Sequence, residues 1–318
     1  MQARSSVSTV PTDAKEAMAP ARSRWSWRGM VEDDAIFKWL LLVPALIFMV
    51  ALVIYPTVFA VVTSFQKYIL PRPATFAGLD NWRWVVNDAA FWSAFLITVK
   101  FVVIAVGVEL VLGTLIALFL NREFRGQTVI RGLCILPLVA APFATSLAWR
   151  HLYNSDYGVI NYVLQAIGLP RVEFLADSSI ALYSVIAIDV WQWTPLVIFV
   201  VFAALRGLPK EPFEAAKIDG ASAWFTFRRL TLPMIKPVLL IVAMLRMVEA
   251  FRVYDILYGT TRGGPGTSTE TINWLIFREG FQYFDLGRAT AMSVLVLLIV
   301  LVLTNLLFQQ LIKAIRAN

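Results

Sequence analysis

Residues 208–237 read LPKEPFEAAKIDGASAWFTFRRLTLPMIKP. The stretch is too polar to cross a lipid bilayer and too patterned to be a plain linker. Pro212 suits the first turn of a helix, where a missing N–H costs nothing. Phe213, Glu214, Ala215, Ala216 and Ile218 carry that helix forward until Gly220 interrupts it. A second amphipathic helix is expected from Ser222 towards Leu230, with Pro233 closing the unit. The predicted object is a helix–glycine–helix elbow, a rigid knob that another body could push.

On either side of the elbow the chain turns apolar. Of its 318 residues 59% are apolar and 15% charged, and the mean hydropathy is +0.70. A soluble domain of this length cannot hide so much apolar surface, so lipid is the solvent for much of it. A span needs about 20 mostly apolar residues. The qualifying stretches are Leu40 to Phe65, Trp92 to Leu120, Val129 to Trp149, Ile180 to Leu205, Pro237 to Leu257 and Ala289 to Ile312. The expected fold class is therefore all-α, a polytopic membrane helical bundle of about six transmembrane helices. Pro44, Pro56, Pro137, Pro142 and Pro195 fall inside spans and predict kinks. Residues 1–37 read as a polar N-terminal tail and 38–318 as the transmembrane domain carrying the 208–237 loop. Trp25 and Trp27, set among Arg22, Arg24 and Arg28, suit the headgroup level of a membrane. The tail has no apolar core of signal-peptide length.

The net charge of +7 could suggest nucleic acid. In a membrane protein it instead reads as basic loops on one side. Lys and Arg outside the spans divide about two to one in favour of the side holding both termini, residues 121–128 and the 206–236 loop. Both termini are thus expected in the cytoplasm, with membrane lipid rather than nucleic acid as a partner. Cys134 sits among apolar residues and reads as a small core side chain. His151 has no second His or Cys to share a zinc ion with. On the outer side, Asn154, Ser155 and Asp156 are capping types. Ile160, Val163, Leu164 and Ile167 follow at helical spacing before Gly168 and Pro170, which predicts a short surface helix.

Charges inside spans are costly, so they face a cavity or a partner. The fourth span holds Asp189 and Gln192 beside Trp191 and Trp193. The fifth steps through Arg246, Glu249, Arg252 and Asp255 at intervals of three, a series that spirals partway round a helix. Two readings stay open: these groups meet a solute, or Arg246, Glu249 and Asp189 only neutralise one another. Glu109, deep in the second span, reads as packing against another helix, and Lys100 as snorkelling outward.

Several absences bound the chemistry. The sequence contains no G-x-x-x-x-G-K-[ST], H-E-x-x-H or G-x-S-x-G, which argues against a nucleotide cradle and an intramembrane hydrolase. No convincing internal repeat appears, which weakens an ion-coupled secondary transporter built from two halves. Glu214-Ala215-Ala216, Gly220 and Leu232-Pro233 resemble the EAA loop of binding-protein-dependent ABC importer permeases, with Leu230 where the family usually has Ile. The resemblance covers nearly all of the chain beyond residue 38. Trp191-Gln192-Trp193-Thr194-Pro195, Gly263-Gly264-Pro265 and Phe284-Asp285-Leu286-Gly287 are similar to its carbohydrate branch. Thr269 and Thr271 after the Gly-Gly-Pro loop are similar to the larger maltose-permease-type chain, whose extra N-terminal spans and large outer domain are missing here.

The resemblance implies a type I ABC importer permease fold in a prokaryotic inner membrane and a path for a sugar or polyol. It implies Glu214, Ala215, Ala216, Asp219 and Gly220 as the part that couples to an ATPase. It also implies Asp189, Gln192, Trp193, Arg246, Glu249, Ala250 and Val253 as the solute site. The implied partners are a second permease subunit, two cytoplasmic ATPase subunits that use ATP and Mg, and an external solute-binding protein. This chain itself would bind no cofactor and no metal. A phosphorylated polyol held by Arg246 or Arg252 remains an alternative ligand, which the nearby acids would oppose.

Overall fold

Proline sets where the long helices of this protein change course. The computed structural model describes residues 34–316, and the chain divides into two units, 1–59 and 60–318. Helix α1 (Asp34–Met49), in the first unit, runs through a widened turn, Val50–Ile54, into helix α2 (Tyr55–Ser64), which continues past the unit boundary at residue 59. The Tyr55 amide donates to the Val50 carbonyl, five residues back instead of four. Pro56 comes next and has no N–H to give, so the wider turn carries the hydrogen-bond ladder past it. Trp25, Trp27 and most of the expected tail lie outside the described residues. Residues 34–37, expected in that tail, already belong to α1.

The second unit is mostly helical, as expected, with a small hairpin between the helices. Its strands, β1 (Gln66–Lys67) and β2 (Thr75–Phe76), pair antiparallel. Helix α3 (Asp80–Asn87) precedes α4 (Ala89–Leu120), whose first turn is capped by Asp88 accepting the Phe91 amide at 3.0 Å. Next come α5 (Gln127–Val139), α6 (Pro142–Leu152), α7 (Val159–Ala166) and α8 (Ala181–Arg206). The elbow holds α9 (Glu211–Ile218) and α10 (Ala223–Thr226), and then α11 (Leu232–Phe251) and α12 (Asp255–Gly259) follow. The chain ends in α13 (Ile272–Phe277) and α14 (Leu286–Arg316).

Among the described residues five helical stretches are long and apolar enough to cross a membrane: Lys38–Ser64, Ala89–Leu120, Ala181–Arg206, Ala223–Phe251 and Leu286–Ile315. The expected third span is not one helix. It breaks after Val139, and α5 and α6 meet at a bend of 101°. Pro142 opens α6, and the backbone around Ala140 and Ala141 is extended. Counting the bent pair as one span gives six.

The role of Pro233 and the bounds of the fifth span are corrected. Pro233 does not close the elbow. From Ala223 the chain stays helical through the widened turn Phe227–Thr231 into α11, and the Leu232 amide reaches back to the Phe227 carbonyl. The arrangement repeats the one before Pro56: the residue just ahead of the proline makes the long bond. The fifth span therefore starts earlier than Pro237, and it ends at Phe251, short of Leu257. The expected short helix is present as α7, and the Asn154 side chain folds a turn ahead of it by accepting the amides of Asp156 and Tyr157.

Packing centres on α4 and α8. A Cβ on Gly113 would lie 2.6 Å from Val197 Cβ, so only glycine lets the two helices come this close. Val197 itself packs with Ala117 of α4 and Val242 of α11, while further along the same helix pair Phe101 and Ala105 of α4 meet Val185 and Ile188 of α8, with Ala250 and Leu257 closing that cluster. A second cluster joins Phe91 of α4 to Ile272 and Leu275 of α13 and Met292 of α14.

Candidate functional site

Three long helices each contribute one charge to a buried knot. Arg246 of α11 donates from Nε to Glu109 Oε2 at 2.6 Å and from Nη2 to Glu109 Oε1 at 2.8 Å. Nη2 also donates to Asp189 Oδ2 of α8 at 2.7 Å. The fork of the guanidinium suits this two-oxygen grip on one carboxylate. The Trp193 ring lies 4.8 Å from the guanidinium carbon, close enough for its face to attract the cation. Arg246 is 1% exposed, Glu109 0% and Asp189 3%. A charge this deep stays charged only with partners, and here every hydrogen bond it makes ties one span to another.

Of the seven residues implied as a solute site, the structure buries Asp189, Gln192, Arg246, Ala250 and Val253 within the chain, half-buries Trp193 and leaves Glu249 exposed. Glu249 does not pair with Arg246. It faces Arg252, 3.7 Å away, in a solvated pair. Glu109 takes the place expected for Glu249. The sequence did hold a signal: one carboxylate inside a 32-residue apolar helix needs a cation, and Arg246 is the deep one. Gln192 Nε2 donates to the Ala140 carbonyl at 2.9 Å, at the break between α5 and α6. Its Oε1 is buried with no donor.

At one end of α8 the elbow stands out from the bundle. Glu214, Ala215, Asp219 and Gly220 are exposed and Ala216 is half-buried. Gly220 has φ +72°, a conformation that L side chains rarely adopt. Ser222 starts α10 by accepting the Phe225 amide at 3.2 Å. Between the two short helices Pro212, Ala215, Ala216, Asp219, Phe225 and Leu230 line a groove of about 530 Å³.

At the other end Gly263-Gly264-Pro265-Gly266 forms the expected turn. Thr269 closes it, donating from Oγ1 to the Gly264 carbonyl at 2.8 Å. Thr269 and Thr271 are fully buried, so they hold this loop. Glu270 pairs with Arg278, and Glu279 sits near Arg288. Burial raises both carboxyls above their ordinary range, and Asp285 pushes Glu279 further up.

Residues 109–317 match the family of binding-protein-dependent transport system inner membrane components. The chain belongs to this family. The permease is 36% identical over 278 residues to a probable ABC transporter permease of Sinorhizobium fredii, covering 86% of this chain and 90% of that one. It is 33% identical to the trehalose/maltose transport system permease MalF of Thermococcus litoralis, over 85% and 92% of the two chains. A trehalose transport system permease of Mycobacterium tuberculosis is 30% identical over 81% and 82%. Among solved structures, a bacterial ABC transporter that imports alginate shares the fold of the permease. The TM-score is 0.78 with 21% identity, over 90% of this chain and 98% of that one. The chain is thus a multi-pass inner-membrane permease with the importer fold.

Proposed function

We propose that this permease forms the path for a neutral sugar or polyol, handed over by an external solute-binding protein. In this reading ATP is hydrolysed on two separate ATPase subunits, and a second permease chain completes the path. The observation that carries the reading is the elbow: an eight-residue helix exposing Glu214 and Ala215, turned by Gly220, at the mouth of the span that carries Asp189. The small alanines allow close approach, Glu214 offers a charge to a basic group, and the groove beneath can take a protruding side chain. The excess of Lys and Arg at the elbow end supports a cytoplasmic position for it. The names of the Thermococcus and Mycobacterium relatives support a carbohydrate.

Within the path, Trp193 and Glu249 are the proposed contacts for solute. Asp189, Gln192 and Arg246 hold the spans in place, with Ala250 and Val253 packed behind. An indole face and a carboxylate that accepts hydroxyls suit a polyhydroxylated ligand. A phosphorylated ligand is disfavoured, because Arg246 is already taken by two carboxylates and Arg252 faces Glu249. The test is uptake by vesicles holding the whole transporter. Glu214→Lys or Gly220→Pro should abolish ATP-driven uptake while assembly persists, and Glu249→Gln should weaken uptake with assembly intact. Uptake driven by an ion gradient without ATP would overturn the reading.

A further inference from the structure

An unassigned basic site lies where α4, α5 and α8 end on the elbow side of the bundle. Arg131 sits one turn into α5, and its Nη2 donates to the Leu120 carbonyl at 3.2 Å, at the last residue of α4. Gln127 Nε2 donates to the same carbonyl. The Arg131 guanidinium carbon lies 4.3 Å from the centre of the Phe202 ring, and that of Arg206 lies 5.4 Å from the same centre. Two like charges thus share one aromatic ring. Among the described residues neither has a carboxylate within ion-pairing distance. Arg131 Nε is buried with no acceptor. Such a pair calls for an anion.

The anion's source is indicated by what adjoins the pair. A groove of about 710 Å³ opens between α4, α5 and α8. On α4 it is lined by Ile104, Val108, Leu112 and Ile116, a stripe at intervals of four that extends about 18 Å along the helix. Its elbow-side end holds Ile130, adjacent to Arg131, and Ile198, one turn before Phe202. Cys134, expected in the core, is only half-buried and lines this groove. An apolar trough with paired guanidiniums at one end, all at helix termini, matches an acyl chain below a phosphate headgroup. We propose that Arg131 and Arg206 bind the headgroup phosphate of an anionic phospholipid whose acyl chain lies along the α4–α5–α8 groove. The proposal does not depend on the transported solute.

The test is native mass spectrometry of the full transporter in mild detergent, offered phosphatidylglycerol and phosphatidylcholine with the same acyl chains. Phosphatidylglycerol should be retained in preference. Each guanidinium removed should cut that preference about fivefold. Arg206→Gln is the cleaner variant, since Arg131 also caps α4 and Arg131→Gln can disturb the fold. Ile116→Trp, which fills the groove, should lower retention of both lipids. Inorganic phosphate at the same concentration should not displace the lipid. Equal retention of the two lipids, or a preference untouched by Arg206→Gln, would overturn the proposal. Displacement by phosphate alone would reduce the site to one for a free anion. Absence of any retained lipid in the assembled transporter would assign the groove to a neighbouring subunit's helix.

Discussion

At the scale of single residues, the permease places its costliest side chain where three spans meet. Arg246 is the cation between the carboxylates of Glu109 and Asp189, so removing it leaves both without their charge partner. Arg246→Met should lower the stability of the assembled protein by roughly 3–5 kcal/mol, the usual cost of breaking a buried ion pair. The triple change Glu109→Gln, Asp189→Asn, Arg246→Met should recover much of that loss, because like-shaped neutral groups need no counter-charge. The exposed Glu249 and Arg252 pair serves as control, where neutralisation should move stability by no more than about 1 kcal/mol. Thermal melting in detergent reads all three, and an Arg246→Met protein that melts like the parent would sink the account. The composition of this knot was only half legible in the sequence. Asp189 and Arg246 stood out as charges among apolar residues. Whether Glu109 or Glu249 completed the set depends on how α4 and α11 are rotated about their axes, which packing decides and spacing along one helix does not.

At the scale of elements, apolar runs located the spans well and their ends poorly. Pro233 looked like a terminator because an ordinary α-turn cannot absorb it. The protein instead widens the turn before it, as it does before Pro56, and the elbow's second helix joins α11 without a break. Thrust on α10 can therefore pass into the span that carries Arg246. The contact between α4 and α8 is the other element-level device. Gly113→Ala must push Val197 aside or part the helices, at a cost of roughly 1–3 kcal/mol, visible as a lower melting temperature. An unchanged melting temperature would mean the helices are free to separate slightly at no expense. Gly132, with open space around its position, is the matched site where alanine should be tolerated.

At the scale of the whole molecule, the bias of Lys and Arg predicts sidedness. A reporter active only in the cytoplasm, fused after Gly220, should be active, and one fused after Gly266 should be silent. The reverse pattern would place the elbow outside and remove its proposed role.

The bent pair has a consequence for how the chain is made. Helices α5 and α6 are 13 and 11 residues long, so each extends only about 17–20 Å against a hydrocarbon core of about 30 Å. Neither is a convincing passenger for the insertion machinery on its own. The carbonyl exposed at their junction, Ala140, gains its partner only when Gln192 emerges some fifty residues later. Nascent chains halted before α8 should accordingly leave residues 127–152 in contact with the translocase, and chains that include α8 should release them into lipid. Site-specific crosslinking from Val139 follows that handover. The expected handover runs through the Gln192 bond to Ala140, so Gln192→Leu should delay release.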